Sequence, residues 1–294
     1  MSEIRGGIGR IGDFVVRWGE SLRWDDLHER LYFVDCAERT LHWLEGGEPP
    51  LHTVQLGTLP TGLVLTHDRR VIVCLKDGLH VVDPDAGTSE LLVGYPDGMH
   101  GRANDANADG SGNLVTGTLN LAPGPGGFWW FSATDGWRLL DEGIGNANGP
   151  AVIDVDGQST LVFGDTLARA VYAYAYDGRT GTVGPRRLFA DHRALGGAPD
   201  GATADADGGG VWSCVLGSGK LARFTAAGLD RVLDLPMPNP SDVAFGGPAL
   251  DRLFVTSIAF DLGEGITAPP EAAWLVAVDD VGAVGRPEFR FSLG

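Results

Sequence analysis

The strongest constraint in this sequence is a repeat. Gly19-Glu20 runs into Leu31-Tyr32-Phe33-Val34-Asp35, and Thr61-Gly62 into Val71-Ile72-Val73-Cys74. Asn104-Asp105 runs into residues 113–117, Asn148-Gly149 into 161–165, Asp200-Gly201 into 211–214, and Ser241-Asp242 into 253–257. In each copy a polar residue or glycine opens a short strand pattern, an Asp/Gly turn follows, and a second strand begins about 10 to 13 residues on. The copies recur about every 42 residues, with one spacing nearer 52, which is the period of a four-stranded propeller blade. Third and fourth strand patterns fill most copies, as in Thr40-Leu41-His42-Trp43-Leu44 and Ala170-Val171-Tyr172-Ala173-Tyr174. The expected fold is therefore all-β, a six-bladed β-propeller of four-stranded blades. One blade cannot bury both faces but a ring can, so residues 1–294 are expected to form a single domain.

The ring has to close. After residues 274–278 and 288–291 the chain runs out of strand patterns, and the alternating residues 13–18 are expected to complete the last blade as an N-terminal strand, leaving no long exposed edge. Two loops break the regular spacing. Residues 120–127 are rich in Pro and Gly and could reach over the channel as a lid, while residues 180–198 carry Pro185, Arg186, Arg187, His192 and Arg193.

In a propeller the first strand of each blade lines the central channel, so its first residues gather at one end. Glu20, Asn104, Asn148 and Asp200 thus become neighbours although they are far apart in sequence. Two carboxylates and two carboxamides are hard oxygen donors, suited to one divalent metal ion: Ca²⁺ first, with Mg²⁺, Mn²⁺ or Zn²⁺ as alternatives. Singly each residue also reads as a turn or cap; the shared register is what joins them. Asp200, at a Pro-Asp-Gly corner, is expected to be the chemically active one. Arg102 and His100 share the parity of Asn104 and are expected to face the same way, toward a substrate, whereas alternation turns Asp105 to the opposite face in a structural role.

Composition narrows the partners. With 22 Lys and Arg against 39 Asp and Glu the net charge is -17, which speaks against nucleic acid and anionic membranes and is compatible with a metal cation or a neutral small-molecule substrate. Cys36, Cys74 and Cys214 are scattered and sit in apolar strand patterns, so they are expected as reduced, buried thiols. The first twenty residues carry Glu3, Arg5, Asp13 and Arg17 and lack the apolar core of a secretory leader. No run reaches the roughly 20 apolar residues of a membrane helix, and the cytoplasm is the expected address. The glycine-rich stretches at residues 6–10 and 124–127 lack the strand–loop–helix setting of a phosphate loop. The serines lack nucleophile-elbow spacing, and the seven histidines form no zinc-protease pattern.

These pieces together resemble the senescence marker protein / gluconolactonase / luciferin-regenerating enzyme family, which includes regucalcin. The resemblance is carried by Gly19-Glu20 with Trp24, Arg102-Ala103-Asn104-Asp105, Gly117-Thr118-Leu119, Asn146-Ala147-Asn148-Gly149, Pro199-Asp200-Gly201 with Val211-Trp212, and Phe245-Gly246-Gly247 with residues 253–256. It implies a metal held by Glu20, Asn148 and Asp200, with Asp200 also the general base. It implies substrate contacts from Arg102 and Asn104, which Asn120 and His100 would join. The implied chemistry is metal-dependent opening of a lactone. The chain departs from the family pattern in places: the usual Glu-Gly-Pro-Val-Trp is Glu20-Ser21-Leu22-Arg23-Trp24, Asn120-Leu121 stand where sugar lactonases have a substrate-contacting Glu, and Asp242 replaces a Ser. These changes leave the metal set intact but suggest a less polar pocket. They keep open a phosphotriesterase or natural-product-pathway enzyme on the same metal site, or a non-catalytic metal- or ligand-binding propeller.

Overall fold

The structure is a computed structural model that describes residues 7–119, 126–206, 209–260 and 269–294. Six antiparallel sheets follow one another along the chain as the blades of a six-bladed β-propeller. Blade I pairs Gly19–Asp25, Arg30–Asp35, Thr40–Glu45 and His52–Gln55; blade II pairs Gly62–Leu65, Val71–Leu75, Gly78–Asp83 and Thr88–Gly94. Blade III runs from Arg102–Ala108 to Gly136–Glu142, blade IV starts at Ala147–Val155 and blade V at Ala198–Ala204. Blade VI is built from Pro240–Gly246, Arg252–Ser257, Val276–Val278 and the N-terminal Ile8–Arg10.

The apolar core is divided among the seams between blades. Tyr32, Val34 and Leu41 meet Leu63 and Val73 at seam I/II; Val162 and Ala173 meet Val211 and Val215 at IV/V; Trp212 and Leu221 meet Val243 and Val255 at V/VI. The closing seam packs Leu22, Trp24 and Phe33 of blade I on Ala244, Phe254 and Ala277 of blade VI, with Trp24 stacked on Phe254 at 6.2 Å between ring centroids. Each such side chain contributes about 1.5–3 kcal/mol by leaving water, and closure spreads that gain over every blade. The three cysteines are buried and free of disulfides, Cys36 at seam I/II, Cys74 at II/III and Cys214 at V/VI.

Closure by an N-terminal strand is as expected, but the segment differs. Ile8–Arg10, all exposed, pairs with Val276–Val278. Residues 13–18 instead connect blade VI to blade I: Val16 N–H donates to Ala273 O and Trp18 bridges to Ile258. Their alternation reflects a half-buried connector, in which Val16 packs into the closing seam while Val15 is 61 % exposed. Residues 288–291 likewise form no strand of the last blade. The C-terminal segment crosses the ring at the ends of the inner strands. Gly285 bridges Asp205 of blade V, Phe291 bridges Thr66 of blade II, and Ser292 N–H donates to Gly112 O of blade III.

The long spacing has a structural cause. In blade IV the strand Ala170–Asp177 pairs with two short outer strands, Thr182–Val183 and Arg187–Asp191, so residues 182–191 are one split outer edge, and a short 3-10 turn at Arg193–Leu195 leads on to blade V. Most of the proline- and glycine-rich 120–127 loop, with the lid expected there, lies outside the described residues.

Candidate active site

The inner strands carry a shared irregularity that builds the site. In five blades the ladder to the second strand skips two residues just after the strand begins: between Glu20 and Arg23, Ala103 and Ala106, Asn148 and Ala151, Pro199 and Ala202, and Pro240 and Val243. A bulge frees consecutive residues from the ladder and re-aims them. Strict alternation therefore fails here. Asn104 and the next residue, Asp105, both reach across to other blades, and Asp105 is 3 % exposed rather than turned to an outer face.

Two buried aspartates hold the approaches in place. Asp35, closing the second strand of blade I, accepts N–H bonds from Arg17 at 2.7 Å and Trp18 at 3.2 Å, just ahead of Glu20. Asp165 does the same in blade IV for Gly145 at 3.0 Å and Asn146 at 3.2 Å, just ahead of Asn148. Each also accepts from the turn after it, Ala37 and Glu38 for Asp35, Leu167 and Ala168 for Asp165. The same aspartate thus fixes the hairpin turn and the chain entering the inner strand.

Asn148, 3 % exposed, has its amide oriented by Thr166. Its Nδ2 donates to Thr166 Oγ1 at 2.7 Å, and that hydroxyl spends its own proton on Pro199 O at 2.8 Å. The arrangement directs Asn148 Oδ1 away from Thr166 and toward Asn104, whose Nδ2 lies 2.5 Å from it. Asn104 Nδ2 also lies near Asn146 Oδ1 at 3.0 Å and Ala147 O at 3.1 Å, while its Oδ1 accepts from Arg102 Nη1 at 3.2 Å. Arg102 sits 5.8 Å over the Trp18 ring, and the indole N–H of Trp18 donates to Glu20 Oε1 at 2.9 Å. Asn104, Asn148, Arg102 and Glu20 thus form one connected patch across blades I, III and IV.

Asp200 is 4 % exposed, and among the described residues no side chain or backbone group donates a hydrogen bond to its carboxylate. Burial raises its pKa well above the usual carboxylate value, and the charges of Glu20, Asp242 and Asp105 raise it further. Glu20 is pushed up to about 8 by burial and then by Asp105, against the Trp18 hydrogen bond and Arg102. Asp242, fully buried, is raised by burial and Asp105 while Arg23 pulls the other way. Four carboxylates therefore meet in one water-poor channel.

Arg23 is the internal counter-charge. It lies 3.2 Å from Asp105 Oδ1 and 3.4 Å from Asp242 Oδ2, and also donates to Leu22 O and Ala106 O. Asp242 Oδ2 further accepts from Leu22 N–H at 2.7 Å. Its Oδ1 lies where Gly201 has no side chain: a Cβ there would sit 2.0 Å away. Asp105 Oδ2 accepts from Gly149 N–H at 2.9 Å. The residues that sequence reasoning missed are this layer of Ser21, Arg23, Asp105 and Asp242. Their signal was present as two departures of opposite charge, Arg23 and Asp242, which belong to the first and last blades and meet at the closure.

Of the remaining candidates only His100 lies among the described residues. His100 is exposed and lies before the strand, separated from Arg102 by Gly101 at φ 88°, so strand parity does not govern it. Asn120 lies outside the described residues. No group of three or more His, Cys, Asp or Glu among the described residues is arranged to hold a metal. Glu20 and Asp200 supply two carboxylates, and the third donor of the expected set is a carboxamide. The donor chemistry fits a hard divalent cation: oxygen atoms only, mutually repelling carboxylates, and an aspartate with no donor among the described residues.

Residues 18–259 match the family described as SMP-30/Gluconolactonase/LRE-like region. The chain is 34% identical to a pentonolactonase of Haloferax volcanii over 96% of this chain and 97% of that protein. It is 31% identical to a 6-deoxy-6-sulfogluconolactonase of Pseudomonas putida over 81% and 82%. Among solved structures, a luciferin-regenerating enzyme superposes with a TM-score of 0.89 at 25% identity, covering 98% of this chain and 100% of that one. A calcium-binding protein, regucalcin, from Agrobacterium tumefaciens superposes with a TM-score of 0.87 at 25% identity, covering 100% of both.

Proposed function

The chain belongs to the SMP-30/gluconolactonase/LRE-like family, and from that premise we propose that it is a lactonase, a hydrolase that opens a small cyclic ester with the help of a divalent cation at the channel mouth. The lactonase names of two relatives support the reaction class, and the calcium-binding relative supports a divalent cation. The observation that carries the reading is Asp200: a buried carboxylate, crowded by Glu20, Asp105 and Asp242, with no donor among the described residues.

Glu20, Asn148 and Asp200 would hold the cation. When bound, such an ion supplies Lewis acidity toward an ester carbonyl and acidifies a water molecule. Asp200 accepts the proton of the attacking water at its carboxylate. Arg102 and Asn104 orient the substrate, the Arg102 guanidinium donating to its oxygen atoms while Asn104 Oδ1 holds the guanidinium in place. The Asp35 and Asp165 clamps keep these groups in register, since misplacement of such groups is costly in rate.

The test is acid release from a panel of aldonic and simple aliphatic lactones by chelator-treated protein, with and without added Ca²⁺, Mg²⁺, Mn²⁺ or Zn²⁺. Hydrolysis restored by a cation and lost in Asp200→Asn is the expected result. Absence of turnover with every cation, in protein that still binds one, would replace the enzymatic reading with a binding role.

A further inference from the structure

Beside Arg102, between blades II and III, lies a cavity of about 360 Å³ lined by Leu59, Thr61, Leu75, Lys76, Arg102 and Ala103. Its walls are mostly apolar. Leu59 and Leu75 belong to the seam between blades I and II. Tyr95 O–H donates to Leu75 O at 2.8 Å, and Thr61 Oγ1 ties blade II to Ala103 O at 2.8 Å.

The charge of this cavity is unusual for a chain of net charge -17. Its two charged lining residues are both cations, and no carboxylate lines it. Among the described residues neither Lys76 nor Arg102 forms a salt bridge, and Arg102 makes one side-chain hydrogen bond, to the neutral Asn104. The neighbouring Asp77 carboxylate pairs instead with His80 at 2.9 Å. Arg102 feels the Glu20 carboxylate on the channel side, but within the cavity neither cation has a carboxylate in contact among the described residues, and a ligand anion entering there would be held by charge-assisted hydrogen bonds. A pocket of this volume with apolar walls and a few charged groups is of the kind that fixes a small ligand's orientation.

We propose that this cavity is a specificity subsite for an anionic arm of the substrate, so that the preferred lactone carries a carboxylate or similar monoanion on a short apolar chain, with Lys76 and Arg102 receiving the charge. This rests on the lactonase reading. The arm would run from the reacting ring beside Asn104 past Arg102 toward Lys76, over Leu59 and Leu75. Lys76 is exposed, and among the described residues its side chain forms no salt bridge or hydrogen bond, so its charge is available to the ligand and its replacement is expected to spare the fold.

The experiment compares a γ-lactone bearing a carboxyalkyl arm with the methyl ester of the same compound, in the wild-type protein and in Lys76→Met. The expected result is a kcat/KM at least about tenfold higher for the acid, expressed mainly in KM, and a fall of that ratio by about tenfold in Lys76→Met. A ratio near one in the wild type, or a ratio that Lys76→Met leaves unchanged, overturns the subsite. If neither lactone is opened, the lactonase reading fails by itself. The subsite is then judged by thermal stabilisation of the protein by the acid relative to the methyl ester: a preference abolished in Lys76→Met upholds it, and no preference sinks it.

Discussion

The two ends of the channel are built from the same six strands and differ in how their charges are settled. At the far end several buried charges have close counterparts. Arg290 of the C-terminal segment, buried, reaches Asp25 at 2.8 Å, Asp26 at 2.6 Å and Thr66 O at 2.9 Å. Arg223 pairs with Asp205 at 2.6 Å, and Tyr176 O–H donates to Asp109 at 2.6 Å. At the mouth, Arg23 serves Asp105 and Asp242 from below, and Asp200 is left with no donor. One end spends its polar groups on holding the ring together; the other keeps unpaired charge and bulged backbone where a ligand can enter. Unsettled charge in a buried, rigid setting marks the working end of a scaffold whose fold alone would not reveal it.

The difference between the ends gives opposite expectations for matched substitutions. The largest effect belongs to the mouth. Asp200→Asn should lower kcat/KM for the best lactone by about 10³-fold, within the usual range for loss of a general base, while thermal melting of chelator-treated protein shows no loss of stability, because one of four mutually repelling carboxylates is removed. A large loss of stability instead would make Asp200 a structural residue like its far-end counterparts. At the far end Arg290→Ala strips buried Asp25 of its guanidinium, leaving it His28 at 2.7 Å, and should cost about 3 kcal/mol in urea unfolding, with kcat retained at 25 °C. A variant that lost kcat without losing stability would erase the distinction between the ends.

Much of this was legible before any coordinates, for a physical reason. The blade count rests on a period of turns and apolar alternation, which local chemistry dictates. Glu20 and Asn148 share a register, each the last paired residue before its bulge, and Asp200 stands one place later, as the first residue of the bulge in blade V. What escaped depends on interactions distant in sequence. The bulges that bring Asp105 into the channel are set by contacts between blades, so period-two parity misplaced it. Ile8–Arg10 has no apolar alternation because an outermost strand is exposed on both faces, whereas residues 13–18 alternate because Val16 is buried in a seam. The Glu288 to Phe291 stretch reads as a strand, yet it spans the ring, since Phe291 finds its buried site against Leu114 and Phe131 of blade III.

A smaller effect tests whether unsettled groups at the mouth also cost stability. His192 is completely buried beside the segment entering the inner strand of blade V, stacked on Phe224 at 4.9 Å, and among the described residues neither ring nitrogen has a hydrogen-bond partner. Burial pushes its pKa down to about 4, from an ordinary 6.5, against a weaker upward pull from Asp191. Between those values the unfolded chain binds a proton that the folded one refuses, so this group's contribution falls as pH drops from 6.5 and levels off below 4. From pH 6.5 to 5 the loss should be about 2 kcal/mol. Urea midpoints measured across this range should fall less steeply in His192→Leu than in the wild type; parallel curves would place the acid sensitivity elsewhere.

The smallest effect concerns backbone strain at the mouth. Ser21 follows Glu20 in the bulge of blade I and holds φ at 53°, the left-handed region that Gly149 occupies at the matching place in blade IV with φ at 55°. A serine pays for that conformation where glycine would not, by about 1 kcal/mol. Its hydroxyl offsets the cost, since it reaches both Thr61 O and Asp105 Oδ1 at 3.2 Å. Ser21→Gly removes the strain together with the hydroxyl and should stay within about 1 kcal/mol of the wild type, whereas Ser21→Ala keeps the strain, loses the hydroxyl and should cost about 2 kcal/mol. The gap between the two variants in urea unfolding reads the strain directly. Equal stabilities for the two would mean that the bulge relaxes around alanine. In that case the mouth stores unpaired charge but no backbone strain, and the contrast with the far end becomes purely electrostatic.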